Sequence, residues 1–284
     1  MENYTLNSFT LQLEGLNLRK ASVYVVFPFF FFSYVFVMFM NLGILVLVFI
    51  DKNLHQPVYL LFCNLPVNDI VGNSIMLPRL LVDMLRPPSE RFISYYECVV
   101  QAFTTHMFGT TAHTLTVSAW GVAFMLVAVL LGLTVRLNRC RTLITNPYCD
   151  NASLFKLSCE DVFVNNIYGL VFTVVLFTGS IGSMVLTYSK ITVVCLTSKN
   201  KSLNGKALKT CSTHLVVYLS MLISGCTVII LHRFPDYSDY RKLCAILFHI
   251  IPGSLNPIIY GMQSAEICKS LSKLFRSKSG IPTF

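Results

Sequence analysis

The chain has 284 residues, 54% of them hydrophobic and only 12% charged, with 22 Lys and Arg against 13 Asp and Glu for a net charge of +9. Soluble domains carry roughly 25% charged residues, so this charge is too sparse to cover a water-facing surface. That excludes a disordered chain, a collagen-like fibre and an ordinary cytosolic enzyme, and basic residues scattered between apolar blocks point to a membrane rather than to nucleic acid.

Residues Met1–Lys20 lack the apolar core of a cleavable signal peptide, so the first span must itself anchor the chain. Asn3-Tyr4-Thr5 is a glycosylation sequon that works only on the lumenal side. A bilayer core of ~30 Å needs about 20 helical residues to cross it. Five runs free of Asp, Glu, Lys and Arg are long enough: Ala21–Ile50 (30 residues), Cys98–Val135 (38), Val162–Ser189 (28), Thr210–His232 (23) and Leu243–Ala265 (23). A sixth apolar segment, from about Val58 to Leu77, is interrupted only by Asp69. Helices are expected throughout, because open sheet edges cannot sit in lipid.

The Cys98–Val135 run resists division. One helix of that length would be about 57 Å long at ~1.5 Å per residue. Two spans need about 40 residues and a polar turn, and Leu115-Thr116-Val117-Ser118-Ala119 supplies no Gly, Pro, Asn or charge. The chain therefore counts as six spans, or as seven if this run holds two compressed ones. Topology rules do not decide. With the N-terminus outside and seven spans, ten Lys and Arg lie inside and twelve outside, nearly a tie under the positive-inside rule. The best local signal is Lys190–Lys209, five lysines and no acid, which reads as a cytoplasmic loop.

Cys98, Cys140, Cys149 and Cys159 lie at span ends or in the Arg136–Asp161 connection. They suggest two disulfides on an oxidising face, with three connectivities open. Their spacing does not fit a zinc knuckle, and no metal is expected. Asn151-Ala152-Ser153 in the same connection is a second lumenal sequon; Asn200-Lys201-Ser202 lies in the lysine-rich loop and is expected to be unused. Intramembrane polar residues are costly and tend to be functional. Asp69 is the one acid deep in an expected span; Asn64, Asn68 and Asn73 share its segment, while Asn41 and Asn256 sit in others. His106 and His113 lie on nearly one helical face and His249 is in the last run; they line a cavity, bind metal or donate hydrogen bonds within a bundle. No nucleophile–base constellation, Walker loop, GxGxxG or HExxH is present, so no catalysis and no cofactor are expected. After the last run, Ile267, Leu271, Leu274 and Phe275 at helical spacing, with Lys269, Lys273 and Arg276 beside them, predict an amphipathic helix on the inner leaflet. Cys268 within it is a candidate palmitoylation site.

Several segments together resemble the rhodopsin-like receptors and, within them, the olfactory (odorant) receptors. Leu54-His55-Gln56-Pro57-Val58-Tyr59 is similar to their first inner-loop signature. Asn41 and Asp69 match the polar residues of the first and second helices. Lys206-Ala207-Leu208-Lys209-Thr210-Cys211-Ser212-Thr213-His214-Leu215 resembles the entry to helix six, and Pro252 to Tyr260 the LNPxIY end of helix seven, with one extra residue before Leu255. Thr187-Tyr188 resembles the SY pair of helix five. The resemblance implies an all-α, seven-helix membrane bundle with helices three and four truncated, either separate or fused, and a short amphipathic helix after the last span. It divides the chain into an extracellular segment 1–22, a bundle 23–262 and a cytoplasmic tail 263–284. It pairs Cys98 with Cys149 and Cys140 with Cys159.

It also places candidate odorant contacts at His106, Thr110, Phe172, Leu176, Leu222 and His249. A packing switch falls at Asn41, Asp69, Asn256, Pro257 and Tyr260, and a face toward a heterotrimeric G protein at Tyr188, Lys206 and Lys209. One departure dominates: the acid-Arg-Tyr triplet at the inner end of helix three is absent, and Asp239-Tyr240-Arg241 has the wrong order and place. The match runs to His113-Thr114 and resumes near Leu115–Trp120. The helix-six FYG patch is missing as well, since Leu219–Gly225 reads LSMLISG. The expected function is an odorant receptor of the plasma membrane with its N-terminus outside, binding small organic molecules, touching lipid and no nucleic acid, with G-protein coupling in question. The rivals are a non-signalling truncated isoform retained in the endoplasmic reticulum and, last, a transporter, for which no internal repeat exists.

Overall fold

The computed structural model of the chain describes residues 6–55, 59, 63–111, 117–197, 201–231, 234–263, 267–269 and 272. Among them, seven helices exceed fifteen residues: α1 Lys20–Ile50, α2 Asn64–Leu85, α3 Tyr95–Thr111, α4 Val117–Val135, α5 Phe163–Thr197, α6 Lys201–Leu231 and α7 Ser238–Gln263. By length and apolarity alone, α1, α5 and Ser238–Ile259 of α7 can cross a membrane, and Trp120–Val135 and Leu215–Leu231 are shorter apolar stretches. The bundle is the seven-helix arrangement the sequence implied, with three differences of detail.

First, the run that would not divide is two helices. Phe103 of α3 meets Phe124 of α4 with ring centroids 5.4 Å apart. Cys98 and Ala102, five residues and one residue earlier, share a core with Val127, Leu130 and Leu131, later in α4. Early residues against late ones make an antiparallel hairpin. Its 17 and 19 residues span about 26 and 29 Å at ~1.5 Å per residue, just short of the ~30 Å core. Second, α2 begins at Asn64, six residues later than the apolar run suggested, and carries through Arg79 and Asp83. These two close an i, i+4 ion pair at 2.9 Å, so the charges that marked a boundary in the sequence are absorbed within the helix. Third, the lysine-rich segment expected as a loop is largely the ends of α5 and α6, which reach Thr197 and resume at Lys201.

Helix-to-helix approach is closest where glycine permits it. A Cβ on Gly253 of α7 would stand 2.9 Å from Asn73 Nδ2 and 3.1 Å from Val37 Cγ1, so only glycine lets α7 lie this close to α1 and α2. A Cβ on Gly72 would run into the ring of Phe108. In contrast, α5 is packed only at its first part: Asn165 and Phe172 are its buried residues. Its partners α3 and α4 are short, and most side chains of α5 beyond Ser180 are exposed.

A feature the composition did not announce closes one end of the bundle. Strand β1, Thr10–Leu13, is the centre of a three-stranded sheet, antiparallel to β2 (Phe92–Ser94) and parallel to β3 (Leu143–Ile144). Leu11 and Leu13 are buried beneath it with Ile93 and Ile144. The pairing extends at both ends, through Asn7 N–H to Arg139 O at 2.8 Å and Glu14 N–H to Ile144 O at 2.9 Å. Arg139 stacks its guanidinium 3.3 Å above the Tyr95 ring. At the other end, Ile267 packs with Leu47, Val48 and Leu54 while Cys268 and Lys269 are exposed. That is the two-faced pattern expected after the last span; Leu271, Lys273, Leu274, Phe275 and Arg276 lie outside the described residues.

Candidate functional site

The polar residues of α1, α2 and α7 converge. Pro257 has no N–H to offer the carbonyl of Gly253 four residues earlier, which leaves that oxygen without its helical partner. Asn41 supplies one from the neighbouring helix: its Nδ2 donates to Gly253 O at 2.8 Å and to Val37 O at 2.9 Å. Asn256 Nδ2 donates to Asp69 Oδ2 at 3.0 Å. Asn73 Nδ2 donates to Asp69 O at 2.8 Å and His249 O at 3.3 Å. All of these side chains are buried, and Asn41 Oδ1 and Asn73 Oδ1 receive no donor. Of the five expected switch residues, four are thus in one place. The side chain of Tyr260 lies outside the described residues, as do those of Lys206 and Lys209, His113 and Asn3. Tyr188 is half-buried on the far part of α5.

The expected ligand contacts divide between two cavities. The inner one, about 290 Å3, lies between the last turn of α3, α5, α6 and α7 and is lined by Thr110, Leu176 and Leu222 together with Phe177, Ser180, Tyr218, Met221 and Phe248. Ser180 Oγ donates to the Tyr218 hydroxyl at 2.9 Å, tying α5 to α6 across it. The outer one, about 260 Å3, is lined by His106 and Phe172 with Leu130, Asp150, Asn151, Phe155, Asn165, Leu170 and Val228 among others. His106 and Phe172 meet edge to face at 6.4 Å. His249 lines neither: it is buried, stacked on Phe108 at 4.7 Å, with its Nδ1 toward Ala245 O at 2.9 Å and its Nε2 without a partner.

A chain of polar groups that local sequence did not reveal borders the outer cavity. Asn165 Nδ2 donates to Thr134 Oγ1 at 3.1 Å, Thr134 Oγ1 donates to Asn151 Oδ1 at 2.6 Å, and Asn151 N–H donates to His106 Nε2 at 3.3 Å. Asn151, the expected glycan acceptor, is 4% exposed and held within this chain of hydrogen bonds. The sequon is a local pattern, whereas the burial comes from α4 and α5. The one-turn helix Asn151–Phe155 that holds it is capped by Asp150, whose carboxylate accepts from Ser153 N–H at 2.7 Å.

Disulfides join Cys98 to Cys149 and Cys140 to Cys159, with Cα–Cα distances of 5.3 and 5.8 Å. The first ties the start of α3 to the connection above the cavities. Gln101 doubles that tie, accepting from Cys149 N–H at 2.7 Å and donating to Ile75 O at 3.1 Å. Two further links bind α7 to this roof. Arg241 donates to Asn146 Oδ1 at 2.8 Å. Lys242, fully buried, meets Glu14 of the N-terminal segment at 3.0 Å. Tyr148 is buried beside them, and burial pushes its phenol up, with Asp150 adding and Arg241 opposing. It stays neutral against the His249 ring at 5.8 Å.

A family model described as olfactory receptor matches residues 110–278. Human olfactory receptor 56A4 is 30% identical over 266 residues, covering 82% of this chain and 84% of the relative. Human olfactory receptor 52N5 is 27% identical over 274 residues with 84% of each chain covered. That alignment has 274 positions, while 84% of 284 residues is about 239, so about 35 positions of the relative have no counterpart here. Squid rhodopsin superposes with a TM-score of 0.52 at 13% identity over 94% of this chain and 89% of that one, a likeness of fold.

Proposed function

This chain belongs to the olfactory receptor family, and on that premise we propose that it is a receptor that binds a small organic odorant between its helices and does not pass the signal to a heterotrimeric G protein. The observation that carries the binding half is the pair of cavities between α3, α5 and α6. Five of the six residues expected by resemblance line them, in mostly apolar walls with a few polar groups, the usual make-up of small-molecule sites. The observation that carries the second half is the shortness of α3 and α4. α3 ends at Thr111 and α4 begins at Val117, where by the resemblance the family has its acid-Arg-Tyr triplet, so the inner face that would meet a G protein lacks its central cation. Tyr188, Lys206, Lys209 and Tyr260 are what remains of that face.

In this reading residues 1–22 are extracellular, 23–262 form the bundle in the plasma membrane, and 263–284 are cytoplasmic. Two disulfides at the sheet-covered end favour placing that end in the oxidising compartment. Asn41, Asp69, Asn256 and Pro257 act as the packing element whose arrangement differs between ligand-free and ligand-bound bundles. Leu222→Trp tests the binding site: a bulkier side chain fills the inner cavity and abolishes ligand-induced thermal stabilisation of the purified chain, measured across a mixed odorant panel. Unchanged stabilisation in that variant contradicts the placement. An N-terminal epitope accessible on intact, unpermeabilised cells supports the orientation; reactivity only after permeabilisation contradicts surface display with the N-terminus outside.

A further inference from the structure

The two cavities are stacked along the same three helices. On α3, Thr110 of the inner cavity lies one turn beyond His106 of the outer; on α5, Leu176 lies one turn beyond Phe172; on α6, Leu222 lies six residues before Val228. At ~1.5 Å per residue their centres are about 6–9 Å apart along the bundle. Each alone is below the ~300 Å3 at which small-molecule sites usually begin, and together they reach about 550 Å3, well inside the usual range.

Aromatic rings stand at the level between them. Gly225 lies midway between Leu222 and Val228 on α6, and a Cβ on it would be 3.5 Å from Phe248 Cε2 and 3.6 Å from Phe177 Cζ. The Phe248 ring also reaches α3, 3.7 Å from where a Cβ on Gly109 would stand. A ring from α5 and a ring from α7 thus meet at Gly225. Both line the inner cavity and neither lines the outer. Both are only half-buried, so neither is locked by a fully packed shell. Polar groups are unevenly shared. Those of the inner lining are hydroxyls, and Thr110, Ser180 and Ser183 already donate to protein acceptors. Imidazole, amide and charged side chains, His106, Asn151 and Asn166 among them, line only the outer cavity.

Taken as spheres, the cavities are each about 8 Å across, so a ligand filling both is about 15 Å long. An extended carbon chain with ~1.52 Å bonds advances about 1.25 Å per atom, which makes roughly twelve carbons. We propose that the two cavities are one elongated site, divided by the rings of Phe177 and Phe248, and that its ligand is an unbranched aliphatic chain of about that length with one polar end. The polar end sits in the outer cavity, and the tail passes Gly225 into the inner one when the two rings turn aside. A chain of about six carbons fits the inner cavity alone. The proposal rests on the receptor reading above and adds to it the shape of the ligand and the residues that select it.

The test uses the full chain in lipid discs with linear hexanol, linear dodecanol and cyclododecanol, each referred to its partition into protein-free discs. In the wild type, dodecanol should bind tenfold or more tighter than cyclododecanol, which has as many carbons but cannot thread between the rings. Gly225→Leu fills the passage and should lower the ratio of dodecanol to hexanol affinity at least tenfold. Gly225→Ala, whose methyl stands in ordinary contact with both rings, should keep that ratio. Phe248→Ala should speed dodecanol association at least fivefold more than hexanol association. Equal binding of the linear and cyclic alcohols overturns the elongated site, a comparison that needs no variant to fold. An unaltered ratio in Gly225→Leu overturns the passage, and an unaltered dodecanol association rate in Phe248→Ala removes that ring as the divider. If hexanol or other small odorants bind while dodecanol does not, the ligand class fails and the receptor reading stands. If nothing in the wider odorant panel binds, both fail.

Discussion

At the residue scale, the bond between Asn41 and Gly253 shows how a helix breaker is tolerated inside α7. Pro257 removes a donor, and a side chain from α1 replaces it. Asn41→Leu should therefore destabilise the bundle by about 1–3 kcal/mol, the cost of a buried carbonyl left without a partner. In a Pro257→Ala background the helical N–H returns, and the same substitution should cost less than half as much. Thermal unfolding of the four variants in detergent forms the cycle, and equal costs in both backgrounds would remove Asn41 from this role. Asn41 and Asp69 were legible in the sequence because polar residues in apolar runs stand out. The resemblance grouped Asn256 with Asp69, but the acceptor of Asn41 was not legible: Asn41 and Gly253 are 212 residues apart, and no local pattern links them. The same reason hid the burial of Asn151.

At the scale of elements, the N-terminal strand and α5 are opposites. Strand β1 is short, Thr10-Leu11-Gln12-Leu13 alternating polar and apolar over only four residues, and it pairs with segments 80 or more residues away. Sequence periodicity could not find it. Its latch is Glu14 to Lys242, a fully buried cation whose partner is 29% exposed. Glu14→Gln should destabilise the protein by about 2 kcal/mol, below the full penalty for stranding a buried charge because Glu14 reaches solvent. Lys242→Met in the same chain should recover most of that loss; no recovery would show that the pair does not act as a unit.

Helix α5 was legible in the sequence as a long apolar run, yet its uneven packing was not. Its buried residues end at Phe172, since α3 and α4 stop short beside it. Backbone amide exchange in lipid discs should be faster between Ser183 and Thr197 than between Asn165 and Phe177, by tenfold or more. Uniform protection along α5 would contradict its uneven burial.

At the scale of the whole molecule, the seven-helix count and both disulfide pairings followed from the resemblance, and the apolar runs located most of the spans. What composition left open was the fate of 38 uncharged residues. Those described, 98–111 and 117–135, lie in two short antiparallel helices, so the chain after Val135 keeps the direction it has in a seven-helix bundle. The alignment with olfactory receptor 52N5 leaves about 35 positions of that relative without a counterpart, and in this chain both cavities and the sheet above them are present.

The direct measurement is ligand-driven nucleotide exchange on a purified heterotrimeric G protein, with the full chain in lipid discs and an odorant whose saturable binding to it has been measured. Saturable binding is expected, with exchange no faster than in empty discs. Exchange should be restored when the inner end of helix three and the following loop of olfactory receptor 52N5 are inserted between Thr114 and Leu115. Odorant-driven exchange by the chain as it stands, at the rate of the restored one, would contradict it.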